Sequence, residues 1–454
     1  MCRRLTKFLF ENNVLYSGQY GFLQGRSTEH AMLDILYKIT DAIEKKHFTL
    51  GVFLDVSKAF DTISHSILLK KLSIYGIRGI GLDWLTSYLK NRTQFIDTGI
   101  TQSSILHITS GVPQGSVLGP LLFLLYINDM PLFSQILSYV LFADDTTALY
   151  SSPSINDLFT VINNELATLQ KWFSANKLQI NATKTNLILF TTHQREKHFI
   201  GNNENQYLFL SNSQIRPTSS VRFLGLQLDK NLTFKKHINF VCSKLTKGIY
   251  ALSRAAKVLP TEDLMTLYFS LFLPYINYGL LAWGGSCKTE SYYQVLDRGP
   301  MTNHMRSLTK IHQLQKRALR IISKKGFYSH HIPLCWTLQI LDLEHLYNLK
   351  ALSLFHDYYH GKLPPFFLNK LTLYYSRNNS LLIQTKFRRT DIASCNYFNT
   401  IPNVWNPLPD NLKSVITKSK KTFLTQAKSY FISTYENWKC PKNDCFICHH
   451  IQAK

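Results

Sequence analysis

Negative charge is what this sequence is short of. Asp and Glu number 28 against 51 Lys and Arg, a net charge of +23. Such an excess points to a polyanionic partner, either nucleic acid or an acidic membrane face. Charge as a whole is sparse at 17%, while hydrophobic residues make up 45% of 454, which excludes a disordered polyelectrolyte. That length and apolar content suffice for two or three domains with buried cores. Cysteine is also scarce. Cys2, Cys242, Cys287, Cys335 and Cys395 follow no framework spacing, so the chain reads as reduced and intracellular rather than as a disulfide scaffold. The first ten residues carry arginines with no long apolar region behind them, so no signal peptide is expected. One uncharged run, 264–283, reaches membrane-span length. It contains Ser270, Pro274, Asn277 and three tyrosines, and reads instead as a buried helix pair broken at Pro274, with no membrane partner.

The apolar periodicity orders the rest. Residues 1–50 read as helical, with Ser27 capping a helix that runs to about Lys46. Residues 50–56 form a short buried strand. Two apolar strands, 139–143 and 148–150, bracket Asp144-Asp145 as a hairpin with an acidic tip. Helices are expected at 66–75, 82–90 and 157–175, and a loop leading into a helix at 111–129. Strands follow at 186–190 and 221–228, with 191–220 as a polar loop. Beyond 231 the pattern is mainly helical. The mixture predicts an α+β sheet with helices on one face. No acid occurs between Asp229 and Glu262, where Lys235, Lys236, Lys244, Lys247, Arg254 and Lys257 lie. None occurs between Asp297 and Asp342, where Lys316, Arg317, Arg320, Lys324 and Lys325 lie. Two such one-signed stretches suit surfaces along a phosphate backbone.

Acids at strand ends are the unusual feature. Asp55 ends the apolar run Leu50-Gly51-Val52-Phe53-Leu54, and Asp144 and Asp145 sit between apolar strands. A carboxylate there is costly unless paired, and three together raise one another's pKa. A divalent cation relieves both costs, and an oxygen-only ligand set beside phosphates favours Mg²⁺ over zinc. Two such ions about 4 Å apart serve phosphoryl chemistry. Asp61 reads as a cap or a partner of Lys58, and Asp129 as a helix stop. No Ser or Cys sits in a nucleophile elbow, since Gly115-Ser116-Val117 lacks the flanking glycine pattern, and this weighs against a hydrolase.

Three segments carry a resemblance: Phe53-Leu54-Asp55-Val56-Ser57-Lys58-Ala59-Phe60-Asp61, Ser110-Gly111-Val112-Pro113-Gln114-Gly115-Ser116-Val117-Leu118-Gly119-Pro120 and Phe142-Ala143-Asp144-Asp145. Together with Asn181-Ala182-Thr183-Lys184-Thr185 and Phe223-Leu224-Gly225-Leu226, they resemble the successive motifs of reverse transcriptases of non-LTR, LINE-type retrotransposons, over roughly residues 10–260. The resemblance implies a right-hand polymerase palm with partial fingers, followed by a mainly helical thumb and C-terminal region. It implies domains at 1–230, 231–330 and 331–454. The implied activity is RNA-directed DNA polymerisation on an RNA template and DNA primer with dNTPs, in the nucleus. By the same resemblance Asp55, Asp144 and Asp145 hold two Mg²⁺ ions, and Lys184 serves the leaving pyrophosphate. Phe60 excludes a 2′-hydroxyl, Gln114 and Gly115 face the nucleotide and template, and Phe223, Leu224 and Gly225 grip the primer end. Ser116 is expected to cap the helix that Pro120 opens.

Where the sequence departs from the family, an N-terminally truncated copy is expected, lacking further finger sequence and an upstream endonuclease. The alternative function is a catalytically inactive nucleic-acid-binding remnant. The stretch 287–309 does not follow the family pattern. The tail contains Val404-Trp405-Asn406-Pro407-Leu408-Pro409 and ends in Cys440, Cys445, Cys448 and His449, a candidate zinc set.

Overall fold

The computed structural model describes residues 1–199, 207–210, 213–285, 303–377, 379–394, 396–436 and 438. It divides into two compact units. One comprises 1–31 and 45–221, the other 32–44 and 222–454, so the chain passes from one to the other within a helix and again after Val221.

The first unit begins with α1 (Cys2–Glu11) and the opening turn of α2 (Thr28–Glu44). β1 (Phe48–Leu54) follows, buried at every residue. Next come α3 (His65–Ile74), α4 (Ile80–Leu89), the short pair β2 (Thr93–Gln94) and β3 (Leu106–His107), and α5 (Gly119–Ile127). β4 (Ser138–Phe142) and β5 (Asp145–Ser152) form the acidic hairpin, then α6 (Ile155–Ala175) leads to β6 (Asn186–Phe190). The strands make one antiparallel sheet in the order β4-β5-β1-β6. β1 lies inside that sheet and is buried on both faces, which is why it reads as a mainly apolar run rather than an alternation.

α6 explains itself from sequence. Leu158, Ile162, Leu166, Leu169 and Phe173 recur at helical spacing, are buried, and pack the helix on β1 and β5. Burying each contributes about 1.5–3 kcal/mol. Ser154 caps the helix by accepting from the Asp157 amide. α5 is buried on nearly all sides. Its first turn holds Pro120. Leu118, not the expected Ser116, occupies the N-cap and offers no side-chain bond; the Ser116 hydroxyl accepts from the Gly119 amide at 3.0 Å in the turn that leads in.

Residues 191–220 differ from the expected loop. They contain α7 (His193–Phe199) and a hairpin of β7 (Leu208–Leu210) with β8 (Ser213–Ile215). Leu208 and Leu210 are buried while Phe209 is exposed, an alternation too short to stand out among polar neighbours.

The hairpin of β9 (Ser220–Phe223) and β10 (Leu226–Asp229) spans the boundary after Val221. In the second unit α8 (Lys235–Ala255) buries Ile238, Val241, Leu245, Ile249 and Leu252 and packs against the helix Asn303–Ile322. α9 (Thr261–Leu271) stops at Phe272, and α10 (Leu273–Asn277) restarts with Pro274 in its first turn. The uncharged run is therefore a broken helix pair, continued by α11 (Leu280–Trp283). Among the described residues no helix is long and apolar enough to cross a membrane.

The C-terminal helices Leu343–Tyr359, Tyr397–Trp405 and Lys420–Ser433 pack on one another. The Val404–Pro409 motif finds a structural role here. Trp405 is fully buried and donates from Nε1 to the Leu381 carbonyl at 2.9 Å. Asn406 accepts from the Ile383 amide and donates to its carbonyl, each at 2.9 Å. Cys440, Cys445, Cys448 and His449 lie outside the described residues, as does most of 287–309.

Candidate active site

Strand pairing sets the position of the acids. Leu54, the last residue of β1, pairs with Thr146 of β5. Asp55 therefore leaves the sheet beside Asp145, since facing residues on antiparallel strands bring their Cβ atoms to about 4.5–5.5 Å. Phe142 pairs with Asp145, so Ala143 and Asp144 make a two-residue turn. Ala143 takes the left-handed conformation there, φ +55°.

That turn is held from outside. The Gln19 side-chain oxygen accepts from the Ala143 amide at 3.1 Å and from the Gly21 amide at 2.8 Å. A Cβ on Gly21 would lie 2.4 Å from the Ala143 nitrogen, so only glycine permits this approach. Sequence reasoning did not single out Gln19, because its partner lies 124 residues away.

The electrostatics agree with the geometry. The Asp145 carboxyl is held above the ordinary aspartate value, first by partial burial, then by the Asp144 charge, then by that of Asp55. Among the described residues no three of His, Cys, Asp and Glu stand at ion-holding distance from one another. The donor set nevertheless fits a hard divalent cation. It is all carboxylate oxygen, and like-charge repulsion is the strain an ion would relieve. The Lys184 ammonium lies 4.0 Å from the Asp55 carboxylate, both open to solvent.

Two further segments close on the same place. The Asp55 carbonyl accepts from the Asn181 amide at 2.8 Å, and the Asn181 side chain accepts from Thr183 and Lys184. The residues after Asp55 are zipped to the 110–116 loop. The Val112 amide donates to the Phe60 carbonyl, that of Gly111 to the Ile63 carbonyl, and the Ser110 hydroxyl to the Asp61 carbonyl. Gly111, at φ +84°, lies so close to Asp61 that a Cβ would meet its backbone at 2.9 Å. Phe60 stacks on Phe123 with centroids 4.4 Å apart and meets Phe22 edge-on at 6.1 Å. Gln114 donates to Asp61 Oδ1 at 2.7 Å, so Asp61 pairs with the loop rather than with Lys58. Gly115 takes φ +76° with open space around it.

Asp129 is more than a helix stop. Lys71 donates to its carboxylate and to the Tyr126 carbonyl, each at 2.6 Å, and lies over the rings of Tyr126 and Trp172. Of the two basic stretches, α8 keeps Lys235, Lys236, Lys247 and Arg254 exposed. Lys244 reaches over Phe240, and Arg254 over the exposed Tyr250 ring. The second stretch is not a uniform rail. Arg320 donates to the Ser329 carbonyl, and burial followed by the Arg320 charge pushes Lys316 down to about 8.

Residues 1–228 match the family model for reverse transcriptase (RNA-dependent DNA polymerase). The chain belongs to the reverse transcriptase family. Among its relatives is a probable RNA-directed DNA polymerase from transposon X-element of Drosophila melanogaster, 28% identical over 63% of this chain and 31% of that protein. Another is the RNA-directed DNA polymerase from mobile element jockey of the same fly, 28% identical over 72% of this chain and 33% of that protein. These relatives mark the chain as a LINE-type, non-LTR reverse transcriptase. It spans about a third of the length of these relatives. A solved telomerase from Candida albicans, in complex with a fragment of telomeric RNA, superposes at TM-score 0.34 and 12% identity, over 77% of this chain and 55% of that one, too loosely for structural inference. The four-stranded antiparallel sheet carrying the acids is the reverse transcriptase palm, and the helices after β10 match the mainly helical region expected beyond it.

Proposed function

We propose that this chain carries the RNA-directed DNA polymerase activity of a non-LTR retrotransposon, extending a DNA primer on an RNA template with dNTPs. The observation that carries this reading is the register that brings Asp55 beside the Asp144-Asp145 turn. Those three carboxylates would hold two Mg²⁺ ions, which when bound supply charge neutralisation at the attacking and leaving oxygens. The chain's own residues do the rest by positioning. The Asp55 strand end and the Asn181 loop set the acids and Lys184 together, and Lys184 offers a proton to the departing pyrophosphate. Phe60, braced by Phe123, presents a ring where a ribose 2′-hydroxyl would sit. Gln114 and Gly115 face the nucleotide and template, Gly115 leaving room for close approach. The Phe223–Gly225 turn bears on the primer end. Exposed Lys235, Lys236, Lys247 and Arg254 on α8 suit the phosphates of an RNA·DNA hybrid, which is recognised by shape and backbone. Nuclear residence is part of the same reading.

Primer extension by the purified chain tests it. Wild-type protein should extend a DNA primer on RNA in Mg²⁺, and Asp144→Asn should lose about 10³-fold in rate. Salt-sensitive binding without extension by wild type, unchanged in Asp144→Asn, would establish the inactive nucleic-acid-binding alternative.

A further inference from the structure

The β9–β10 turn has a strained tip. Leu224 sits at φ +45° and Gly225 at φ +85°, and a leucine holds a left-handed conformation only when its surroundings enforce it. Tyr278, which ends α10, supplies that enforcement from 54 residues away. Its hydroxyl donates to the Leu224 carbonyl at 2.5 Å. Its ring lies against Gly225, where a Cβ would be 3.3 Å from Cε1. The tyrosine is itself fixed. Trp283, buried in the same unit, donates from Nε1 to the Tyr278 carbonyl at 2.9 Å. Gly279, next along the chain at φ +60°, lets the backbone turn sharply where a Cβ would meet Met32 Sδ at 3.2 Å.

We infer that Tyr278 is a positioning residue for polymerisation: it latches the 223–225 turn in the conformation that aims the primer 3′-hydroxyl. This rests on the reading of that turn as the primer grip. The latch acts through the turn rather than on the reacting groups. Loss of its hydroxyl should therefore slow the bond-forming step without weakening capture of the duplex or of dNTP.

The test is primer extension and duplex binding by the full chain, with amide hydrogen exchange across 222–228. Tyr278→Phe keeps the ring and removes the donor. It should lower kcat about 3- to 10-fold and speed exchange in that segment by a similar factor. The dNTP KM and the duplex Kd should stay within about twofold. Tyr358→Phe removes a hydroxyl that donates to the Leu371 carbonyl at 2.9 Å and accepts from the Leu371 amide at 3.3 Å, and should change none of these. Unaltered kcat and exchange in Tyr278→Phe, or equal changes in Tyr358→Phe, overturn the latch. Gly225→Val, which crowds the Tyr278 ring, separates the two readings. If it lowers kcat while Tyr278→Phe does not, the grip stands and the latch falls. If it leaves kcat untouched, the grip reading itself fails. Should the wild-type chain not extend primers, the exchange comparison alone decides the latch.

Discussion

The carbonyl oxygen of Asp55 accepts a hydrogen bond from the backbone amide of Asn181, tying a strand-end acid to a loop 126 residues further along the chain. The Asn181 side chain then organises that loop by accepting from Thr183 and Lys184. Asn181→Ala should therefore release Lys184, lowering kcat for primer extension about 10-fold, while Asn181→Asp, which keeps the acceptor oxygen, should retain most of the rate. Pre-steady-state extension rates of the two variants check this. Equal rates in both would remove the loop from the mechanism.

Phe60 is clamped between Phe123 and Phe22 and so presents a fixed edge. Trimming it to valine should open space for a 2′-hydroxyl. We expect Phe60→Val to improve rNTP incorporation relative to dNTP by about 10-fold or more, as removal of a steric block relaxes discrimination. Competition between the two nucleotides on one template reads the ratio directly.

The Lys71–Asp129 pair should matter for stability rather than for chemistry. Burial lowers the Lys71 pKa, opposed by the hydrogen bond and charge of Asp129, so the ammonium depends on this partner. Lys71→Met alone strands a carboxylate and should cost about 3 kcal/mol, while Lys71→Met with Asp129→Leu should recover much of it. Denaturant midpoints of the two single variants and the double variant complete the cycle.

His237 is 2% exposed, and among the described residues its ring nitrogens have no hydrogen-bond partner. Burial pushes its pKa down to about 4, below the 6.5 of an unfolded histidine. Between those values the unfolded chain takes up a proton that the folded chain refuses. Stability should thus be full above pH 6.5 and fall as pH drops toward 4, by about 1–3 kcal/mol from this residue. His237→Leu should flatten that part of the pH profile measured by thermal unfolding. An unchanged slope would assign it to other groups.

Periodicity over one element was enough to anticipate β1, the acidic hairpin and α6, because each encodes its burial in its own few residues. The three acids were legible for the same reason: a carboxylate ending an apolar run is conspicuous. The contacts that hold the site were not legible. Gln19 reaching Ala143 and Gln114 reaching Asp61 each link distant segments, and nothing local distinguishes these side chains from solvent-facing ones. The β7–β8 hairpin escaped because three-residue strands are too short for an alternation to register.

The four-stranded sheet also has both outer strands partly covered. Along β4, Gln19 bridges to Leu141 in parallel, and the Tyr20 amide donates to the Leu141 carbonyl. Along β6, Pro217 bridges to Leu187, whose carbonyl accepts from the Thr218 amide. Exposed rows of amides and carbonyls invite foreign strands to add on and seed aggregates. Here short lengths of the same chain occupy part of both borders, one of them carrying a proline that cannot pass the ladder further. Excising residues 17–21 would thus do more than loosen the acidic turn: it would uncover a sticky border and favour self-association.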